Sequence, residues 1–73
     1  MTALEDQADR FMCDHDFERI TWDGRDLRAE NEDGTSYDKY EFLSGTQGRE
    51  DFEKLEAEVL EQHGGEVWEY ELY

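Results

Sequence analysis

Two Asp-Gly dipeptides, Asp23-Gly24 and Asp33-Gly34, restrict this chain more than any other feature. The first follows, and the second precedes, a stretch holding aromatic and β-branched residues, and an Asp-Gly pair in that setting is a strong short-range signal for a β-hairpin. Phe17 to Trp22 runs into the first pair. A two-residue turn there sets Ile20 opposite Leu27 and Trp22 opposite Arg25. Ile20, Trp22, Leu27 and Ala29 then share one apolar face, and Thr21 with Asp26 and Arg19 with Arg28 share the wetter one. The second pair leads into a strand predicted over Thr35 to Leu43. A two-residue turn puts Leu27 opposite Tyr40 and Arg25 opposite Phe42, at the cost of facing Arg28 with Lys39. A three-residue loop would pair Arg28 with Asp38 instead. Burial of the apolar face favours the first register, and a slip of one residue reverses every side chain.

Helices are predicted on either side of these hairpins. Thr2 with Glu5 makes a capping-box pattern, and Leu4, Ala8, Phe11 and Met12 recur at helical spacing, giving a helix over about 3–13. It should stop near Asp14-His15-Asp16, because acids oppose the dipole at a helix C-terminus. Ser44 to Gly48 reads as a loop with a cap. A second helix follows from Arg49 to Gln62, with Phe52, Leu55, Val59 and Leu60 on its apolar stripe, and His63-Gly64-Gly65 ends it with a left-handed glycine. Glu66 to Tyr73 alternates as a half-buried strand, with Trp68, Tyr70 and Leu72 on one side and Val67, Glu69, Glu71 and Tyr73 on the other. The order α-β-β-β-α-β with short connections predicts an α+β fold, a largely antiparallel sheet of four strands packed against two helices. There is no proline, repeat or low-complexity linker to mark a boundary, so residues 1–73 read as one domain.

Charge bounds the function. The 73 residues hold 22 Asp and Glu against 7 Lys and Arg, a net charge of −15. A small domain stays dissolved with a charge of roughly 2 to 8 in magnitude, so this chain carries about double that need. Ten aromatic residues argue against a merely solvating acidic tail. A core drawn from 36% hydrophobic residues offsets the ordering entropy of so short a chain with little to spare, which disfavours a deep catalytic cavity. No catalytic motif is present, and the expectation is a protein that is not an enzyme, with no catalytic residues and no cofactor. Cys13, His15 and His63 are the only sulfur or nitrogen metal ligands, short of a zinc set. Asp14-x-Asp16-x-Glu18 begins like an EF-hand loop but has Arg19 where glycine belongs and Arg25 where the final glutamate belongs, so no metal is expected. No long apolar run suggests a membrane span or a signal core, and a single cysteine fits a reducing compartment; the expected location is the cytoplasm, a host's if the chain is phage-encoded.

An anionic membrane or nucleic acid repels such a chain, so the expected partner is a basic protein surface, typically one built to bind nucleic acid. The second helix carries Glu50, Asp51, Glu53, Glu56, Glu58 and Glu61. These acids span about 18 Å, close to one charge per 3 Å, and duplex DNA presents about one phosphate per 3.4 Å of each strand. Glu69 with Glu71, and Asp26 with Glu30, supply carboxylate rows of comparable pitch, extending the helix's field if the last strand lies beside it; the turn acids Asp23, Glu32 and Asp33 add to it. Tyr37 and Tyr73, on the polar sides of their strands, are candidate anchors for a partner, or cover the second face of the sheet. Adaptation to a salt-saturated cytoplasm also produces acidic excess and a preference for Arg over Lys, here five to two. Such chains favour Asp, Ala, Val and Thr, whereas this one has thirteen Glu to nine Asp and only two Val. An antitoxin-like cap on a basic protein is a further class.

In size, acidity and α+β pattern the whole chain resembles the small phage-encoded DNA-mimic inhibitors, a group that includes the uracil-DNA glycosylase inhibitor, restriction-blocking mimics and several anti-CRISPR proteins. These proteins share a strategy and no signature motif, so the resemblance assigns a role to no individual residue. It implies that carboxylates stand in for phosphates in the basic groove of a bacterial nuclease or CRISPR effector, without catalysis.

Overall fold

The computed structural model describes residues 3–71. Helix α1 covers Ala3–His15, strand β1 Arg19–Trp22, β2 Leu27–Glu30 and β3 Ser36–Tyr37. A 3-10 turn at Lys39–Glu41, helix α2 over Gln47–His63 and strand β4 over Trp68–Glu71 complete the chain. The four strands form one antiparallel sheet in the order β3-β2-β1-β4, so the predicted α+β architecture and element order are present.

Both helices cover the same face of the sheet. Leu4, Ala8, Phe11 and Met12 of α1 and Phe52, Leu55 and Val59 of α2 meet Ile20, Trp22, Leu27 and Ala29 in one buried core, with Phe17 beside them. The helical periodicity and the strand alternation had marked nearly all of these positions. Leu60 is the exception: it lies on the flank of α2 and is 56% exposed. The N-terminal capping pair involves Thr2, which lies outside the described residues. At its other end α1 runs to His15 and turns at Asp16, whose φ of 61° allows Phe17 N–H to donate to the Met12 carbonyl at 3.0 Å. Aspartate thereby fills the left-handed closing position more often held by glycine. Helix α2 starts two residues earlier than predicted, at an N-cap in which the Thr46 hydroxyl accepts from Arg49 N–H. Gly64 caps its C-terminus with a positive φ of 56° and donates to Leu60, but its ψ of −121° is not the left-handed helical value.

The first hairpin differs from the predicted register by two residues. Ile20 pairs with Ala29 and Trp22 with Leu27, leaving a four-residue loop. One Asp23 carboxylate oxygen accepts from the N–H groups of Arg25 and Asp26 at 2.8 and 2.7 Å, which draws Asp26 out of the strand. A shift of two keeps the apolar face intact, and it also replaces the like-charge pair Arg19–Arg28 by Arg19 opposite Glu30.

The second hairpin takes the disfavoured three-residue loop. Gly34 N–H donates to the Asn31 carbonyl at 3.0 Å, Gly34 has a φ of 88°, and Asn31 N–H closes onto Thr35. Ala29 therefore pairs with Tyr37 and Glu30 with Ser36. The physical reason is burial after all: the predicted register would have set Asp38 opposite Ala29 on the core face. With the observed one Tyr37 takes that place and Asp38 is released to cap the 3-10 turn, accepting from Tyr40 N–H at 2.9 Å. Strand β3 consequently ends at Tyr37, and the predicted strand over 38–43 is instead a turn that drops Phe42 onto Phe52, ring centroids 5.2 Å apart.

Candidate acidic binding surface

The two helices hold ten Asp and Glu against three Lys and Arg, whereas the strands hold three Glu against two Arg. On α2 the buried stripe of Phe52, Leu55 and Val59 turns Glu50, Glu53 and Glu61 outward, and all three are exposed. Four of the six acids of α2, Glu53 among them, are engaged by neighbours. Glu56 meets Lys39 at 3.7 Å, Glu58 accepts from Gln62 at 2.9 Å, and Glu53 reaches back one turn to Arg49 at 3.5 Å. Asp51 receives His15 at 3.1 Å and Gln47 at 2.8 Å, bridging the end of α1 to the start of α2. Partial burial works against ionisation of Asp51, and the hydrogen bonds from His15 and Gln47 outweigh it, so its carboxyl titrates below the ordinary aspartate range. Asp6 and Asp14 of α1 are exposed on the same layer, acids that the charge density of α2 alone does not include. They border a groove of about 530 Å³ between the helices, floored by Phe11 and shared with Arg10 and Lys54.

The open face of the sheet has another character. Glu69 and Glu71 alternate with Trp68 and Tyr70, whose rings pack toward the core, so the two acids point away from the helices. The condition under which β4 would extend the field of α2 is not met, because Glu69 and Glu71 lie on the face of the sheet away from the helices. Arg19 donates to Glu71 at 2.7 Å, and with Glu71 nearest and Glu69 and Glu30 close by its guanidinium is held more firmly in the charged form. Glu30 faces Arg19 across β1 and β2, and Arg28 sits across from Thr21, leaving this face close to balanced.

The turn acids are mainly structural. Hydrogen bonds from the N–H groups of Asp26 and then Arg25 hold the Asp23 carboxyl below its usual range. The Thr35 hydroxyl and N–H do the same for Asp33. Asp26 and Glu32 are exposed in the loops. No family model matches the chain, and no curated protein or solved structure shows significant similarity to it.

Of the two candidate anchors, Tyr37 is not on a polar face. It packs against Phe17 with ring centroids 5.6 Å apart, as the three-residue loop requires. Tyr73 lies outside the described residues. Among the described residues the exposed aromatic ring is Tyr40, at 76% exposure, with the Lys39 ammonium 5.4 Å and the Arg49 guanidinium 5.6 Å from its centroid. The signal that could have found it is Asp38, an N-cap residue that ends a strand by starting a turn. Leu43 and Leu60 are also exposed, Leu43 just beyond that turn and Leu60 on α2. Among the described residues no group of three His, Cys, Asp or Glu could hold a metal ion: Cys13 is exposed, His15 is committed to Asp51, and His63 stacks on Trp68. No helix among them is long and apolar enough to cross a membrane.

Proposed function

We propose that this protein is a binding inhibitor that occupies the basic nucleic-acid groove of another protein, such as a bacterial defence nuclease or CRISPR effector, with carboxylates in the place of phosphates. The observation that carries the reading is the one-sidedness of the charge: acids crowd the helical layer while the open sheet face is nearly neutralised. Glu50, Glu53 and Glu61, with Asp6 and Asp14 on the neighbouring helix, form an outward acidic layer on a rigid two-helix scaffold. A basic groove attracts such a layer over a Debye length of roughly 8 Å at physiological salt and sheds its own counterions on contact. Steering of this kind sets the association rate. Residence depends on desolvated anchors, and Tyr40 is the aromatic side chain placed to supply one beside the acids of α2. In this reading no reaction is catalysed and nucleic acid is a competitor, never a ligand.

The test is affinity capture from a bacterial lysate with and without competing duplex DNA. The expected result is a nucleic-acid-binding protein retained by the bait and displaced both by DNA and by raised salt. Retention that neither DNA nor salt disturbs would overturn the reading.

A further inference from the structure

Resting on the reading that the partner is basic, we propose that the outer edge of β4 is a docking edge, to which an extended basic segment of the partner adds as a fifth strand. The sheet order leaves two edges, and they are unequal. Strand β3 is two residues long and is cut off by the 3-10 turn, whereas β4 offers four residues, about 13 Å of backbone, with its outward N–H and C=O groups facing away from β1.

Side chains on both faces of this edge specify the same occupant. On the helix side His63, Trp68 and Tyr70 form a continuous ring stack, with centroids 5.5 Å apart at 22° and then 6.1 Å apart at 6°. Trp68 and Tyr70 are only half-buried, so the apolar layer extends past β1 to the rim. Burial, and then the nearby carboxylate of Asp9 with Glu5 and Asp6 beyond it, push the Tyr70 phenol above its ordinary range, so it stays neutral at this rim. On the open face stand Glu69, with no ion pair among the described residues, and Glu71, which shares its carboxylate with Arg19 at 2.7 Å. An added strand that alternates apolar and basic residues lays its apolar side chains along the ring stack and its Lys or Arg side chains over Glu69 and Glu71. A second copy of this chain is a poor occupant, because pairing β4 with β4 sets these glutamates against each other at the short spacing of cross-strand neighbours. The acids that keep the edge from self-association therefore also select what can use it.

The probe is a seven-residue peptide alternating Lys and Val with blocked termini, titrated into the 15N-labelled full chain. Amide shifts concentrated in 68–71, with slowed exchange of those amides, are expected. The same peptide N-methylated throughout keeps its charges but loses its backbone donors, and it should produce neither effect. E69K/E71K should weaken the Lys-Val peptide about tenfold while leaving the amide spectrum of the two helices in place; β1 amides near Arg19 shift because that residue loses its Glu71 partner. Shifts that map to α2, or that persist with the N-methylated peptide, mean plain charge attraction and overturn the edge proposal while leaving an acidic inhibitor standing. No shifts at all with the Lys-Val peptide overturn the edge proposal too. Failure of the inhibitor reading shows separately, in the DNA-displacement capture.

Discussion

Replacing Gly24 by alanine should damage this fold far more than the same change at Gly34, although both glycines lie in hairpin loops at positive φ. The angles are 97° and 88°, so the backbone strain imposed by a Cβ is similar at the two sites, about 1–3 kcal/mol. Around Gly34 nothing lies within 4 Å of the added methyl. At Gly24 the methyl overlaps the Gly65 carbonyl oxygen and comes within 3.1 Å of its carbonyl carbon. Reaching ordinary contact requires a retreat of about 1 Å. Gly65 adjoins Gly64, whose carbonyl accepts from the indole N–H of Trp22 at 2.9 Å, and Trp22 is 2% exposed. Leaving that buried donor without an acceptor costs about 1–3 kcal/mol beyond the common strain. With a urea dependence on the order of 1 kcal/mol per molar for so small a chain, the midpoint of Gly24→Ala should fall about 1 M or more below that of Gly34→Ala. Urea unfolding followed by tryptophan fluorescence measures this, and the Trp22 indole proton should shift in Gly24→Ala only. Equal midpoints for the two variants, with an unmoved indole signal, would refute the argument that the first hairpin is pinned to the α2–β4 connection.

Four further outcomes follow from the binding surface and the charges. Reversing Glu50, Glu53 and Glu61 together to Lys should slow association with the captured partner and weaken binding by about 0.6–3 kcal/mol in all, with a shallower salt dependence, measured by surface plasmon resonance at two ionic strengths. Tyr40→Ala should instead raise the dissociation rate by about tenfold or more without altering the salt dependence; an unchanged off-rate removes it as an anchor. Stability should decline on acidification below about pH 4: Asp51, Asp23 and Asp33 have folded-state values below their unfolded ones, so the stability they add is present above the unfolded value and is lost as pH falls through the folded value. Asp51→Asn should flatten that decline in acid titrations followed by circular dichroism, and a profile identical to the parent's would contradict the role given to the His15 and Gln47 hydrogen bonds. Finally, the chain should fold in dilute buffer, gaining stability as salt screens its net charge of −15; a requirement for molar salt would favour adaptation to a saline cytoplasm.

Local patterning was enough to determine the order of helices and strands in this protein, though not the extent of β3. The 3.6-residue recurrence in α1 and α2 and the alternation around Ile20, Trp22, Leu27 and Ala29 marked the buried residues directly, because each element needs one apolar face whatever its neighbours are. The acidity of α2 was equally legible. Register and sidedness were decided by the tertiary structure. The choice between Tyr37 and Asp38 opposite Ala29 depended on what waited beneath, namely Phe17, and the choice for the first turn depended on the carboxylate of Asp23 and on Glu30 being available to Arg19. Whether Glu69 and Glu71 join the acids of α2 could not be read along the chain either. It turns on which face of β4 the core claims, and Trp68 and Tyr70 claim the helical side. A linear charge density is a property of sequence, but a charged surface is made only when packing decides which side of a sheet each carboxylate occupies.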